Sequence, residues 1–128
     1  MTSKSGKLII NIVEAQLTRD TDTFSKMDPF VKVIYNGKKQ HQTVVKNRAG
    51  KTPKWNEKTE IKIMDLMDEI IFEILDEDTF SNDLVGYTKT KVYNIVGPNN
   101  GMNEWHNVVY KNKSAGKIRL ETEWMSNI

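Results

Sequence analysis

The chain has 128 residues, 38% of them apolar, with 19 basic against 17 acidic side chains for a net charge of +2, and no cysteine. That size is enough for one core, and the missing thiols exclude disulfide frameworks, thiolate metal sites and cysteine nucleophiles, so a metal would have to be held by oxygen or by the two histidines. The balanced charge predicts no nucleic-acid partner, and the polar opening MTSKSGK, with no apolar run near the length of a membrane span, is expected of a soluble cytoplasmic chain whose membrane contacts are made by its folded surface.

In chain order, KLIINIVEA from Lys7 alternates Leu8, Ile10 and Ile12 against Ile9, Asn11 and Val13, a β-branched strand pattern. The polar stretch Leu17 to Asp28 has no period. PFVKVIYN then alternates Phe30 and Lys32 against Val31 and Val33 and stops at Asn36-Gly37, a hairpin signal because both residues tolerate positive φ, so KKQHQTVVK is predicted to run back antiparallel. After the turn-rich NRAGKTPK, a strand is expected over Trp55 to Ile63, and another from about Glu69, where Ile70, Phe72 and Ile74 alternate with Ile71, Glu73 and Leu75. GYTKTKVYNI, EWHNVVYK and AGKIRLETEW complete eight short strands with no convincing helix. This predicts an all-β sandwich or barrel, with Trp55, Trp105 and Trp124 as packing residues.

Two connections are acidic. DEDTFSNDLVG places Asp76, Glu77, Asp78 and Asp83 around Phe80, and Asp76 and Asp78 continue the parity of Ile70, Phe72 and Ile74, with Cα atoms roughly 7 Å apart. TRDTDTFSKMDP contributes Asp20, Asp22 and Asp28. Either loop alone reads equally as a solvated turn, since Asp caps turns. Carboxylates converging at ~4–6 Å would repel by a few kcal/mol, and a divalent cation reverses that sign; flexible oxygen-only loops suit Ca²⁺. The EF-hand pattern is excluded, because Phe80, Ser81 and Tyr87 stand at positions five, six and twelve counted from Asp76.

Three segments together resemble the C2 domain family: Asp22 followed by Asp28-Pro29-Phe30-Val31-Lys32-Val33, then Thr52-Pro53-Lys54-Trp55-Asn56-Glu57, then the strand from Ile70 into Asp76-x-Asp78 that closes on Val85-Gly86. The resemblance runs from Lys7 to Trp124. It implies one C2 domain over residues 1–128, core about 7–125, built as an eight-stranded antiparallel Greek-key β-sandwich of the circularly permuted type II topology. It implies Ca²⁺ ligands at Asp22, Asp28, Asp76, Asp78 and Asp83, with Asp20 a further possibility. Asp83 departs from the commoner family spacing, lying seven residues after Asp76 with Leu84 in eighth place.

The same resemblance implies Ca²⁺-dependent, reversible docking of a monomer on anionic phospholipid, as in signalling and membrane trafficking, with Phe24 and Phe80 as membrane-contact tips. Each aromatic could instead fold back onto the sandwich. Lys32, Lys38, Lys39 and Lys46 are possible headgroup-binding residues, or else a solvated basic edge. The alternative is a Ca²⁺-independent module that binds or scaffolds protein partners. No Gly-x-Ser-x-Gly elbow, phosphate loop or His-Glu-x-x-His occurs, so no enzyme is expected.

Overall fold

The computed structural model describes residues 4–22 and 25–127. Its strands are β1 Gly6–Leu17, β2 Pro29–Tyr35, β3 Lys38–Gln42, β4 Lys54–Ile63, β5 Glu69–Glu77, β6 Asn82–Lys91, β7 Gly101–Tyr110 and β8 Lys113–Ser126, with one short helix, α1 Tyr93–Val96. The order across the sheet is β3-β2-β5-β6-β7-β8-β1-β4, every neighbouring pair antiparallel. β6 and β7 share one residue pair, Tyr87 with Val109, so the sheet divides there into two four-stranded halves. Leu8, Ile10, Val33, Ile61, Phe72, Ile74, Ile118 and Leu120, drawn from both halves, meet in one buried cluster. The halves therefore close face to face as a sandwich, and each large side chain so buried contributes about 1.5–3 kcal/mol.

Alternation reports the inner face well. Ile118, Leu120, Thr122 and Trp124 are all buried in β8, as are Ile70, Phe72 and Ile74 in β5. In β1 the parity changes partway: Leu8, Ile10 and Ile12 are buried, and then Val13, Ala15 and Leu17. A register shift between Ile12 and Glu14 accounts for this, so Val13 belongs to the core rather than to the face of Ile9 and Asn11. Asn36 and Gly37 carry φ of 48° and 79° between the paired residues Tyr35 and Lys38, as a two-residue hairpin requires.

Three expectations are corrected. β6 starts at Asn82 and ends at Lys91, and Tyr93–Val96 is a helical turn instead of more strand. Backbone hydrogen bonds from Val92 to Asp68 O and from Tyr93 to Leu66 O pull the chain off the sheet, and the turn buries Ile95 and Val96. β3 ends at Gln42 instead of continuing to Lys46. There the Thr43 hydroxyl accepts the Val31 N–H at 2.9 Å, a side-chain bond in place of a ladder bond. Trp105 is 37% exposed on β7, whereas Trp55 and Trp124 are buried.

Polar side chains fix the remaining contacts. The outermost strands β3 and β4 are joined by Glu57, which meets His41 Nε2 at 2.9 Å with one oxygen and accepts the Val44 N–H at 3.1 Å with the other. Far from the acidic loops, the Tyr35 hydroxyl donates to Asp68 and accepts the Met64 N–H. Burial, reinforced by the Asp68 hydrogen bond, holds the Tyr35 phenol above its usual value. His106 on β7 is half-buried with its Nε2 unpartnered, and desolvation pulls it below the usual histidine value against the weaker opposing pull of Glu104.

Candidate metal centre

Strand parity carries Asp76 to the end of the buried row in β5, where it is only 3% exposed. A carboxylate taken out of water is costly unless its oxygens are satisfied. Asp76 Oδ1 accepts the Asp28 N–H and Oδ2 accepts the Thr21 hydroxyl, each at 2.8 Å. Asp28 stands just before β2, which pairs Pro29 with Asp76. The Trp55 indole, donating to Pro29 O at 3.3 Å, fixes that strand entry from behind. Asp28 Oδ1 in turn accepts the Arg48 N–H at 2.6 Å, and Asp22 Oδ2 accepts the Ser25 hydroxyl at 2.8 Å. At the tip, the Asp78 N–H donates to Ser81 O and Asp78 Oδ1 accepts the Thr79 N–H.

Asp83 reaches the same place through a register shift. β5 and β6 pair Ile74 with Gly86 but Leu75 with Leu84, so one extra β6 residue, Val85, is accommodated there. The shift sets Asp83 opposite Asp76; an unbroken register would have set Leu84 there. Directly opposed residues of an antiparallel pair share a face, so Asp83 is on the side of Asp76 despite its spacing in the sequence.

Asp22, Asp28, Asp76, Asp78 and Asp83 all line one open cavity of about 390 Å³, together with Thr21, Ser25, Glu77 and Thr79. Among the described residues none of these carboxylates takes part in an ion pair, so their charge is left uncompensated. Nor, among the described residues, do three acidic or histidine side chains converge tightly enough to enclose an ion. The donor set is hard oxygen throughout, the chemistry that Ca²⁺ prefers. Asp20 does not line the cavity: its Oδ1 accepts the Asp22 N–H at 2.9 Å, a turn contact.

Phe80, between Asp78 and Asp83, is 97% exposed and does not fold back onto the sandwich. Phe24 lies outside the described residues. The four candidate lysines do not gather in one patch. Lys38 follows the Asn36-Gly37 hairpin at the end away from the cavity, Lys39 Nζ contacts Gln42 Oε1 at 3.4 Å, half-buried Lys32 stands between Gln42 and Glu73, and Lys46 is backbone-bonded to Pro29 O near the cavity. Glu77 was named in the acidic loop but not among the ligands, and Thr21, Ser25 and Thr79 were missed. The signal of the three hydroxyl residues was position inside the two acidic loops, without the charge that singled out the aspartates.

Comparison with known proteins places these features. The family model for the C2 domain matches residues 6–108. The 16 kDa phloem protein 1 of Arabidopsis thaliana is 29% identical over 82 residues, covering 61% of this chain and 53% of that protein. The chain thus spans about half the length of that curated relative. The first of the C2 domains of a plant extended synaptotagmin 1 superposes with a TM-score of 0.83 at 21% identity, covering 96% of both chains. The paired C2 domains of an extended synaptotagmin 2, calcium bound, give a TM-score of 0.80 at 26% identity over 98% of this chain and 47% of that one.

Proposed function

The chain belongs to the C2 domain family, and on that premise we propose that it is a membrane-recruitment or tethering module, not an enzyme, that takes up Ca²⁺ in the acidic cavity and then docks on anionic phospholipid. The observation that carries the reading is the set of six carboxylates, five aspartates and Glu77, that line one cavity without an ion pair among the described residues, beside a fully exposed phenylalanine. A calcium-bound extended synaptotagmin 2 among the structural neighbours supports it. Buried Asp76 and half-buried Asp28, which are hydrogen-bonded to each other, form the floor, while Asp22, Asp78 and Asp83 supply the rim. Bound calcium contributes positive charge that turns the rim from repelling lipid phosphate to attracting it, an electrostatic switch.

Phe80 then adds about 1.5–3 kcal/mol if fully buried in the interface. Phe24, from the other acidic loop, is proposed as a second tip. Lys46, near the cavity, adds about 1 kcal/mol against an anionic surface, and Lys32, Lys38 and Lys39 are proposed as weaker, dispersed headgroup contacts. In this reading attachment is peripheral and reversible, by a cytoplasmic monomer folded as one C2 domain; no helix of the described residues is long and apolar enough to cross a membrane.

Co-sedimentation with phosphatidylserine vesicles is the test. Pelleting that requires calcium and is reversed by chelator is expected, and equal pelleting in both conditions would overturn the calcium step. The internal hydrogen bonds of the carboxylates favour one second reading, a calcium-independent protein-interaction module. In that case calorimetry would find no calcium uptake at millimolar ion.

A further inference from the structure

A second cavity, of about 460 Å³, lies on the other half of the sandwich, beside the end of β1 that leads into the first acidic loop. Pairing across β1, β8 and β7 sets Gln16, Lys117 and Asn107 in one row, and Thr18, Thr52 and Ser114 complete the polar lining. Gly116 makes this approach possible: its φ is +130°, and a Cβ there would collide with Gln16 O. Among the described residues no carboxylate lines the cavity. Glu14, the next residue on that face of β1, is taken up by Arg119, whose Nε and Nη2 donate to it at 3.0 and 2.8 Å.

Two features favour an anion there. None of the six polar side chains hydrogen-bonds to another described residue, so hydroxyl, amide and ammonium donors stand available together. The Lys117 ammonium lies 4.9 Å from the centre of the exposed Trp105 ring and forms no ion pair among the described residues. The β7-β8 turn beside it adds Lys111 and Lys113, both exposed. That turn is tied to the acidic-loop end by Arg19, which stacks 3.7 Å over Tyr110 and donates to Leu84 O at 3.4 Å. Ammonium, hydroxyl and amide donors match the oxygens of a phosphomonoester.

We propose that this groove is a calcium-independent site for the phosphomonoester headgroup of an anionic lipid. It opens at the loop-bearing end of the sandwich, on the half opposite the candidate lysines of β2 and β3. The site does not rest on the calcium reading, because its donors are separate from the acidic cavity.

The test is flotation of the full chain with phosphatidylcholine vesicles containing phosphatidic acid, in chelator. The wild type is expected to float, with a change in Trp105 fluorescence as Lys117 turns from the ring to phosphate. Lys117→Ala is expected to lower the vesicle affinity about tenfold, and Lys117→Arg to retain most of it. Asp76→Asn with Asp78→Asn is expected to float as the wild type does, which separates this site from the calcium step. No flotation in chelator, or flotation that Lys117→Ala and Ser114→Ala leave unchanged, would overturn the proposal. Loss of flotation in the Asp76→Asn, Asp78→Asn chain would return the contact to the acidic loops. A fluorescence response to soluble glycerol 3-phosphate without vesicle binding would overturn the lipid assignment. Circular dichroism and thermal melts of each variant, above all of the one carrying Asp76→Asn at a buried position, are to show the wild-type fold before its flotation is compared.

Discussion

At the acidic cavity, Asp22, Asp28, Asp76 and Asp78 already accept hydrogen bonds from a nearby hydroxyl or backbone N–H. In the groove across β1 and β8, by contrast, the side chains of Gln16, Thr18, Asn107, Ser114 and Lys117 hydrogen-bond to no other described residue, and Asn107 meets the Thr88 hydroxyl only through its backbone carbonyl, which accepts it. Like charges repel, so an acceptor surface must be pinned by donors before it can exist at all. A mixed donor surface with one ammonium carries no such penalty and can stay solvated until a ligand arrives. The first arrangement is preorganised and the second adaptable, and the two should answer differently to charge, to salt and to mutation.

The largest test of that contrast removes two carboxylates. Asp76→Asn with Asp78→Asn loses two ionic contacts worth about 1.5–3 kcal/mol each, so calcium affinity measured by calorimetry should fall at least about hundredfold. Chelator-resistant vesicle binding should not change, and a parallel loss of both would break the distinction. Next, Phe80→Ala should lower calcium-dependent vesicle affinity about tenfold to hundredfold in a flotation assay. Its melting temperature should match the wild type, because the side chain is 97% exposed.

Two further substitutions act on the frame that holds both sites. Tyr35→Phe removes the hydroxyl that joins Asp68 to the Met64 N–H and should cost about 1–2 kcal/mol in urea unfolding while sparing both binding activities. Since the phenol is held above its usual value, its share of stability is intact below the unfolded-state value and is lost as pH rises through the raised one. The smallest effect is expected at His106, which burial holds below the usual histidine value. Its folded form resists protonation, so stability is full above the unfolded-state value and declines as pH falls toward the lowered one. Thermal melts across mildly acidic pH should show a shallower decline in His106→Gln than in the wild type.

How much of this was legible in sequence depended on register. Asp76 was found because it continues the row of Ile70, Phe72 and Ile74, and a row needs only parity. Asp83 looked one residue out of step because the slip at Val85 depends on which hydrogen bonds form between β5 and β6. Val13 was placed on the wrong face for the same reason, a shift after Ile12. The turn at Tyr93–Val96 was missed because its cause is a pair of backbone bonds to Leu66 and Asp68. The groove was invisible for a related reason: Gln16, Asn107 and Lys117 become neighbours only once β1, β8 and β7 are laid side by side.

Glu57 carries a consequence of a different kind. A sheet that ends in two free strands offers two rows of unpaired N–H and C=O groups on which another chain could grow. Here the strands at the two extremes of the sheet order, β3 and β4, are fastened to each other through one carboxylate that holds His41 and the Val44 N–H at once. The fastening makes a seam where two borders would otherwise be, and a charge pointing inward along it is poor material for a fibril. If the chain docks on membranes as proposed, it would meet its own copies there at high local concentration, and that is where such a seam would protect it most.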